Sequence, residues 1–383
     1  MSDEQTGPLE DATAIGRRDL GGMLNAIAAF PDQMRIAWEL SRELDIPDRY
    51  RATTSVALLG MGGSAVCGDL VRAIFNDRLR VPLVSVRDYE LPEWVDQSTF
   101  VIAVSHSGAT EETITALSTA LERRCPVAVI TTGGPIGEVA KQVDLPRLLF
   151  PNESPPRAAL GYTMLLLAGM LERAGFLTLS DAEVAAAIDA AQTVATSCAA
   201  DAPAKSNLAK QLAWSLLDRL PVIEGSGFMA AVARRWKTQI NENANSAAAA
   251  EELPEATHNT VVGYEQPETM RDHEYVVFLA SDADLPRNRE RMRLSIELLK
   301  ASSIDHQRVS FDGTGRLAQA CAAISLGDYV SFYLALLYGV DPSRTEALTL
   351  VKTTMSEFDP LADEHQRTMP SPDSGTDGSG RLM

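Results

Sequence analysis

Cysteine is scarce and scattered: Cys67, Cys125, Cys198 and Cys321 form no CxxC pair. That spacing argues against a structural zinc and a disulfide framework, and it suits a reducing compartment. Positive charge is also short. Lys and Arg number 34 against 52 Asp and Glu, a net charge of −18 at pH 7. So acidic a surface makes nucleic acid or an anionic membrane a poor partner. It does not forbid a small anion, because a local ring of amides and hydroxyls can bind phosphate against the global field. Apolar runs such as "YTMLLLAGM" and "FYLALLYGV" are too short to span a bilayer. The acidic opening "MSDEQTGPLEDATAIGRRD" lacks an apolar h-region, so no signal peptide is expected. His106, His258, His273, His306 and His365 share no HxH or HxxxH spacing, so no metal site is expected from the pattern. Together these absences predict a soluble, cytoplasmic protein with no nucleic-acid or membrane partner.

What is present is an ordinary globular composition, 45% hydrophobic and 22% charged, over 383 residues. That length predicts two domains, or three. Helical spacing of apolar residues from about Leu20 to Leu44 predicts a packing helix. A strand–helix rhythm then begins: "SVALLG", "VPLVSV", "TFVIAVS", "PVAVIT" and "LPRLLF" read as strands, with helices between them. Apolar β-rich runs alternating with helices predict a parallel sheet covered on both faces. Pro-rich "FPNESPPRAALGY" leads into a helix over about Ala158–Ala174, and Ala-rich helices follow to about Leu217. The rhythm then returns. "LPVIEGSGFMAAVARRW" repeats the outline of "VALLGMGGSAVCGDLVR", and "YVVFLAS" and "HQRVSF" supply further strands, as in a weak internal duplication. The expected organisation is an N-terminal segment and packing helix at 1–50, a first domain at 51–178, a second at 179–358, and a tail-like, disordered composition at 359–383.

Two strand ends carry chemistry. In "LLGMGGSA", Gly60, Gly62 and Ala65 fit the dinucleotide pattern GxGxxG/A, but the acidic residue expected after the second strand is misplaced at Asp88. A tight turn needing small residues explains the glycines equally well. Ser64 points elsewhere, since it offers a hydroxyl at a helix N-terminus, where free amides already attract an anion. "SHSGATEET" places Ser105, Ser107 and Thr110 in one turn, with Gly108 letting the backbone approach a ligand and Thr110 at the N-cap of the next helix. Helix capping alone would account for "TEET". Two such loops, each after a parallel strand, favour a cradle for a monophosphate; no Walker lysine is present. His106 beside these serines suggests a nucleophile pair, yet adjacent side chains at a strand end diverge and no GxSxG elbow exists.

"GMGGS", "SHSGATEET", "PPRAAL", "NENA", "ELPEATHN" and a lysine soon after "GVDP" resemble, in order and spacing, the bifunctional phosphoglucose/phosphomannose isomerases. These are two-domain proteins of the sugar isomerase (SIS) superfamily, and the similarity runs from about Arg51 to Phe358. It implies two SIS domains, each a parallel sheet flanked by helices in a flavodoxin-like α/β/α sandwich. It implies that Ser64, Ser105, Ser107 and Thr110 hold the phosphate of a hexose 6-phosphate. Glu242 would carry the proton between C1 and C2. His258, from the neighbouring subunit of a homodimer whose active sites are completed across the interface, and Lys352 would open the sugar ring. Arg157, helped by backbone near Gly63, would stabilise the enediolate, and Thr345 would match the small hydroxyl residue that admits both C2 epimers. No metal and no cofactor is implied. A second reading is a non-catalytic sugar-phosphate-binding SIS protein that regulates a partner.

The chemistry accounts for these residue types by itself. Aldose–ketose isomerisation needs a carboxylate base, donors where enediolate charge develops, and groups that add and remove the protons of ring opening. Each residue also has a plainer explanation: a helix-end acid for Glu242, a satisfied loop residue for His258, an exposed helical lysine for Lys352, a helix start for Arg157. Departures from the family pattern are Ala109 in "SGAT" for the usual Asn, His106 for a frequent Tyr, and Asn245 where a lysine commonly follows "NENA".

Overall fold

The computed structural model describes residues 7–151, 154–313 and 315–358; the tail expected at 359–383 lies outside them. The chain divides into two compact units, Met1–Ser343 and Arg344–Met383. Before the first strand come α1 (Ala12–Arg18), α2 (Met23–Ala28), α3 (Phe30–Arg42) and α4 (Asp48–Arg51). The packing helix expected from Leu20 to Leu44 is thus broken at Ala29. Pro31 sits in the first turn of α3, where its missing N–H costs nothing, whereas inside a continuous helix it would remove a ladder bond.

The first sheet follows: β1 (Ser55–Leu59), α5 (Gly62–Ile74), β2 (Leu83–Val86), β3 (Thr99–Ser105), α6 (Glu111–Glu122), β4 (Val127–Thr131), α7 (Gly134–Gln142) and β5 (Arg147–Leu149). Its strands run in the order β2-β1-β3-β4-β5, all parallel. Three helices lead on, α8 (Leu160–Arg173), α9 (Asp181–Ser197) and α10 (Leu208–Leu216). The second sheet is built from β6 (Leu220–Ser226), α11 (Phe228–Ala244), β7 (Ala249–Leu253), β8 (Glu274–Ser281), α12 (Pro286–Ala301) and β9 (Asp305–Phe311), in the parallel order β7-β6-β8-β9. Helix α13 (Arg316–Tyr338) closes the first unit; the described part of the second carries α14 (Glu346–Glu357).

Alternation along each strand divides the side chains between two faces. Val56, Leu58, Phe100, Ile102 and Val104 enter one large core, whereas Ala57, Leu59, Val101 and Ala103 pack under α6 and α7 in another. In the second sheet Ile223, Tyr275, Val277 and Leu279 join that same large core, and Val222, Val276, Phe278 and Ala280 form a separate cluster on the opposite face. One apolar cluster therefore spans the inner faces of both sheets, and each outer face has its own cover. Strands β1, β3, β4, β6 and β8 are buried on both sides, which is why they read as largely apolar runs.

Among the described residues one helix, α13, is long and apolar enough to cross a membrane, but 89% of that window is buried within the molecule. Sequence inspection found only short apolar runs because Ser325, Gly327, Asp328 and Ser331 interrupt them. Strand β7 has no counterpart in the sequence reading. Its "AAEEL" lacks β-branched residues and apolar alternation, and its place at the sheet edge is set by pairing with β6.

Candidate active site

In an open parallel sheet a crevice forms where neighbouring strands send their connections to opposite faces. In the first sheet that point lies between β1 and β3, and there the two serine loops meet. Ser64 lies in the first turn of α5 and is buried. The His106 N–H donates to Ser64 Oγ at 3.3 Å, joining the loops directly. Ser105 ends β3, and its hydroxyl lies 3.0 Å from that of Thr110. Thr110 occupies the N-cap position of α6, yet its side chain caps no helix amide. This differs from the capping explanation of "TEET", because the hydroxyl is turned to Ser105 and the first amides of α6 are left without a side-chain acceptor. Ser107 is exposed, with its Oγ accepting from the Ala109 N–H at 3.2 Å. Gly108 has φ +64°, and a Cβ there would collide with Gly133 O. The loop needs glycine both for that backbone angle and for the close approach.

His106 is buried, and burial pushes its imidazole pKa down. Its ring stands edge-on to Phe150 at 5.7 Å and its carbonyl accepts from Thr132 Oγ1 at 2.7 Å. It serves as packing and backbone anchor, and it makes no hydrogen bond to a serine hydroxyl through its ring.

Arg157 enters from the short 3-10 turn Pro156–Ala158. A Cβ on Gly63 would lie 3.2 Å from Pro156 O and 3.5 Å from Arg157 Cα, so the bare backbone at Gly63 is what lets this turn come down beside the first loop. The Arg157 side chain is buried. Its Nε donates to Asn243 Oδ1 at 2.7 Å and its Nη2 to Pro342 O at 2.7 Å. Glu242, half-buried in the last turn of α11, neighbours Asn243. Burial lowers the Arg157 pKa, and the nearby carboxylates of Glu242 and Asp341 oppose that shift. The anion loops, the arginine and the carboxylate are thus drawn from β1, β3, the Pro156 turn and α11 into one region. Asn245 has φ 50° and closes α11 in the left-handed conformation, which an asparagine tolerates better than the family's usual lysine.

The other expected residues are placed differently. His258 ends the 3-10 turn Glu255–His258 and is exposed, and among the described residues its ring makes no hydrogen bond or ion pair. Thr345 and Lys352 belong to the second unit. Thr345 is half-buried at the N-cap position of α14, where its carbonyl accepts from the Thr349 N–H at 3.0 Å, and Lys352 is exposed on that helix. Among the described residues no three His, Cys, Asp or Glu side chains are gathered so as to hold a metal ion.

The second sheet has its own switch point, between β6 and β8, and it is filled from within. Asp284 Oδ1 accepts from Ser226 Oγ at 2.7 Å and Oδ2 from the Ser281 N–H at 3.1 Å. The buried carboxylate of Asp284 thus occupies the Ser226 hydroxyl and the Ser281 amide at this switch point.

Sequence reasoning missed several polar groups. Arg235 and Asp328, both almost fully buried, pair at 2.7 Å, and Arg235 Nη2 also donates to the Arg157 carbonyl at 3.0 Å. Glu224 in β6 is 0% exposed, and neither carboxylate oxygen has a hydrogen-bond partner among the described residues. Burial, then the nearby charge of Glu251, push its pKa up to about 8. The only signal of Glu224 in sequence is an acid within an apolar strand run, "LPVIEGS".

Residues 205–355 match the family model described as the bacterial phospho-glucose isomerase C-terminal SIS domain. A crystal structure of a glucose-6-phosphate isomerase from Chlamydia trachomatis superposes with a TM-score of 0.71 at 12% identity, covering 96% of this chain and 89% of that one. With the paired parallel sheets and serine loops, these matches place the molecule in the sugar isomerase (SIS) class. The particular family is set by closer relatives. A bifunctional phosphoglucose/phosphomannose isomerase of Caldicellulosiruptor bescii is 34% identical over 88% of this chain and 99% of its own length. One of Thermoplasma acidophilum is 31% identical over 79% and 90%. The chain belongs to the bifunctional phosphoglucose/phosphomannose isomerase family.

Proposed function

We propose that the protein interconverts fructose 6-phosphate with glucose 6-phosphate, mannose 6-phosphate or both, through a cis-enediolate and without a metal. The observation that carries this reading is the buried Arg157, held at Asn243 and within electrostatic reach of Glu242, beside serine loops suited to a phosphate. Ser64, Ser105, Ser107 and Thr110, with helix amides, hold the phosphate, and the backbone near Gly63 helps Arg157 at the enediolate. His258 and Lys352 add and remove the protons that open the ring. Glu242 takes the proton from one of C1 and C2 and returns it to the other. Arg157 holds the oxygen on which negative charge grows in between. Thr345 is the residue that family membership suggests for tolerance of both configurations at C2.

The functional molecule in this reading is a cytoplasmic homodimer in which His258 serves the neighbouring subunit's site. The exposure of His258, whose ring has no hydrogen-bond or ion-pair partner among the described residues, supports that assignment. Family membership supports the substrate class. Fructose 6-phosphate incubated with the protein in deuterated water containing EDTA should give aldose 6-phosphate with deuterium at C2 in part of the product, read by NMR. No turnover would refute an isomerase and favour a sugar-phosphate-binding protein; turnover abolished by EDTA would refute the metal-free route.

A further inference from the structure

Arg157 is held at both ends by one continuous buried network, and its two ends have different anchors. Its carbonyl accepts from Arg235, which is fixed by Asp328. Its guanidinium donates to Asn243 Oδ1, and Asn243 Nδ2 in turn donates to Ser331 Oγ at 3.0 Å. Ser331 Oγ donates to the Asp328 carbonyl at 2.8 Å, which returns the path to the residue that fixes Arg235. Asn243, Ser331, Arg235 and Asp328 are all buried. They come from α11 and α13, helices packed along one another in the shared core.

From this closed network we propose that Asn243 is the positioning residue for Arg157, setting the direction of the guanidinium toward the oxygen that becomes negative. The proposal rests on the isomerase reading for the identity of that oxygen. An asparagine suits the task. Its oxygen accepts from Arg157 while its NH2 group is spent on Ser331, so the amide cannot rotate without losing both bonds. Asn243 also immediately follows the base, Glu242, so one turn of α11 sets both groups.

Two measurements test it. Steady-state isomerisation reads turnover, and calorimetry reads binding of two ligands: 5-phosphoarabinonate, whose carboxylate copies the enediolate charge, and glucitol 6-phosphate, which lacks it. Asn243→Ala is expected to lower kcat and weaken the carboxylate ligand each by about tenfold, with glucitol 6-phosphate binding changed less than twofold. In an Arg157→Ala background the same substitution should add less than twofold to either loss, because its effect is transmitted through Arg157. Equal losses in both backgrounds, or equal weakening of both ligands, would overturn the proposal in favour of a general structural role. Should Asn243→Ala fail to fold, Ser331→Ala removes a single hydroxyl and should show a smaller loss, about threefold, confined to the carboxylate ligand; no such selectivity would also overturn it. The calorimetric arm decides even if the wild-type chain turns over no hexose phosphate, a result that would sink the isomerase reading alone.

Discussion

A guanidinium has five N–H donors, and Arg157 gives one to Asn243 and one to Pro342 O. Those two bonds set its direction and leave donors for a ligand. Burial raises the strength of what remains, since charges interact more strongly where water is excluded. Replacing Glu242 with Gln keeps the shape and removes the base, so C1–C2 proton exchange should fall by roughly 10² to 10⁴, the usual range for a lost general base, while glucitol 6-phosphate binds as before. Exchange persisting at the wild-type rate in an NMR assay would remove Glu242 from this role. At this scale the sequence was legible where chemistry and local structure coincide, as in the serines at strand ends; the glutamate in "NENA" was singled out by resemblance to a family motif. Asn243, Ser331 and Asp328 were not legible. Ser331 and Asp328 sit among apolar helix residues, Asn243 is one of several polar residues at a helix end, and Asn243 bonds Arg157 across 86 positions and Ser331 across 88.

Strand β6 holds an acid where its neighbours hold hydrocarbon. Glu224 alternates with Val222, which places it on the outer face near Val276, Phe278, Leu253 and Tyr264, opposite Glu251 of β7. Tyr264 feels the charges of Glu224, Glu274 and Glu251, and its hydroxyl is pushed upward chiefly by burial. With its pKa raised from 4.5 to about 8, Glu224 keeps a proton in the folded chain that the unfolded chain has already released. Stability contributed by this group is present below pH 4.5 and is lost as pH rises through about 8, at about 1.4 kcal/mol per pH unit within that window. Glu224→Gln should therefore flatten the fall in Tm between about pH 5.5 and 7.5, by roughly 3 °C over that range for a chain of this size. Some slope should persist, because burial also raises the pKa of Glu274. Wild-type and variant melting curves that decline in parallel would show that Glu224 is ionised when folded. The strand itself was readable as "PVIEGS" between turns, but the protonation of its acid depends on cover from the 3-10 turn at Thr260–Glu265 and from β8, which periodicity does not report.

At the scale of the whole molecule, two sheets of like topology share one core and differ at their switch points. The first presents Ser64, Ser105, Ser107 and Thr110; the second is closed by Asp284 across Ser226 and the Ser281 amide. An internal carboxylate already satisfies the donors that an external phosphate would need. Titration of the wild-type chain with fructose 6-phosphate should therefore saturate at about one ligand per chain, with none of the heat coming from the second sheet. A stoichiometry near two would contradict that closure. The parallel α/β architecture and the serine loops could be read from order and composition, because continuous apolar strands, glycine turns and helix starts are local consequences of the residues that form them; Glu242 and Arg157 entered only through the resemblance to a known family. Which carboxylate fills a crevice, which acid holds its proton, and which amide aims the arginine were decided only when α11 and α13 packed together and β7 paired with β6. Burial and hydrogen-bond closure are properties of neighbours distant in the chain, and they exist only once the chain has folded.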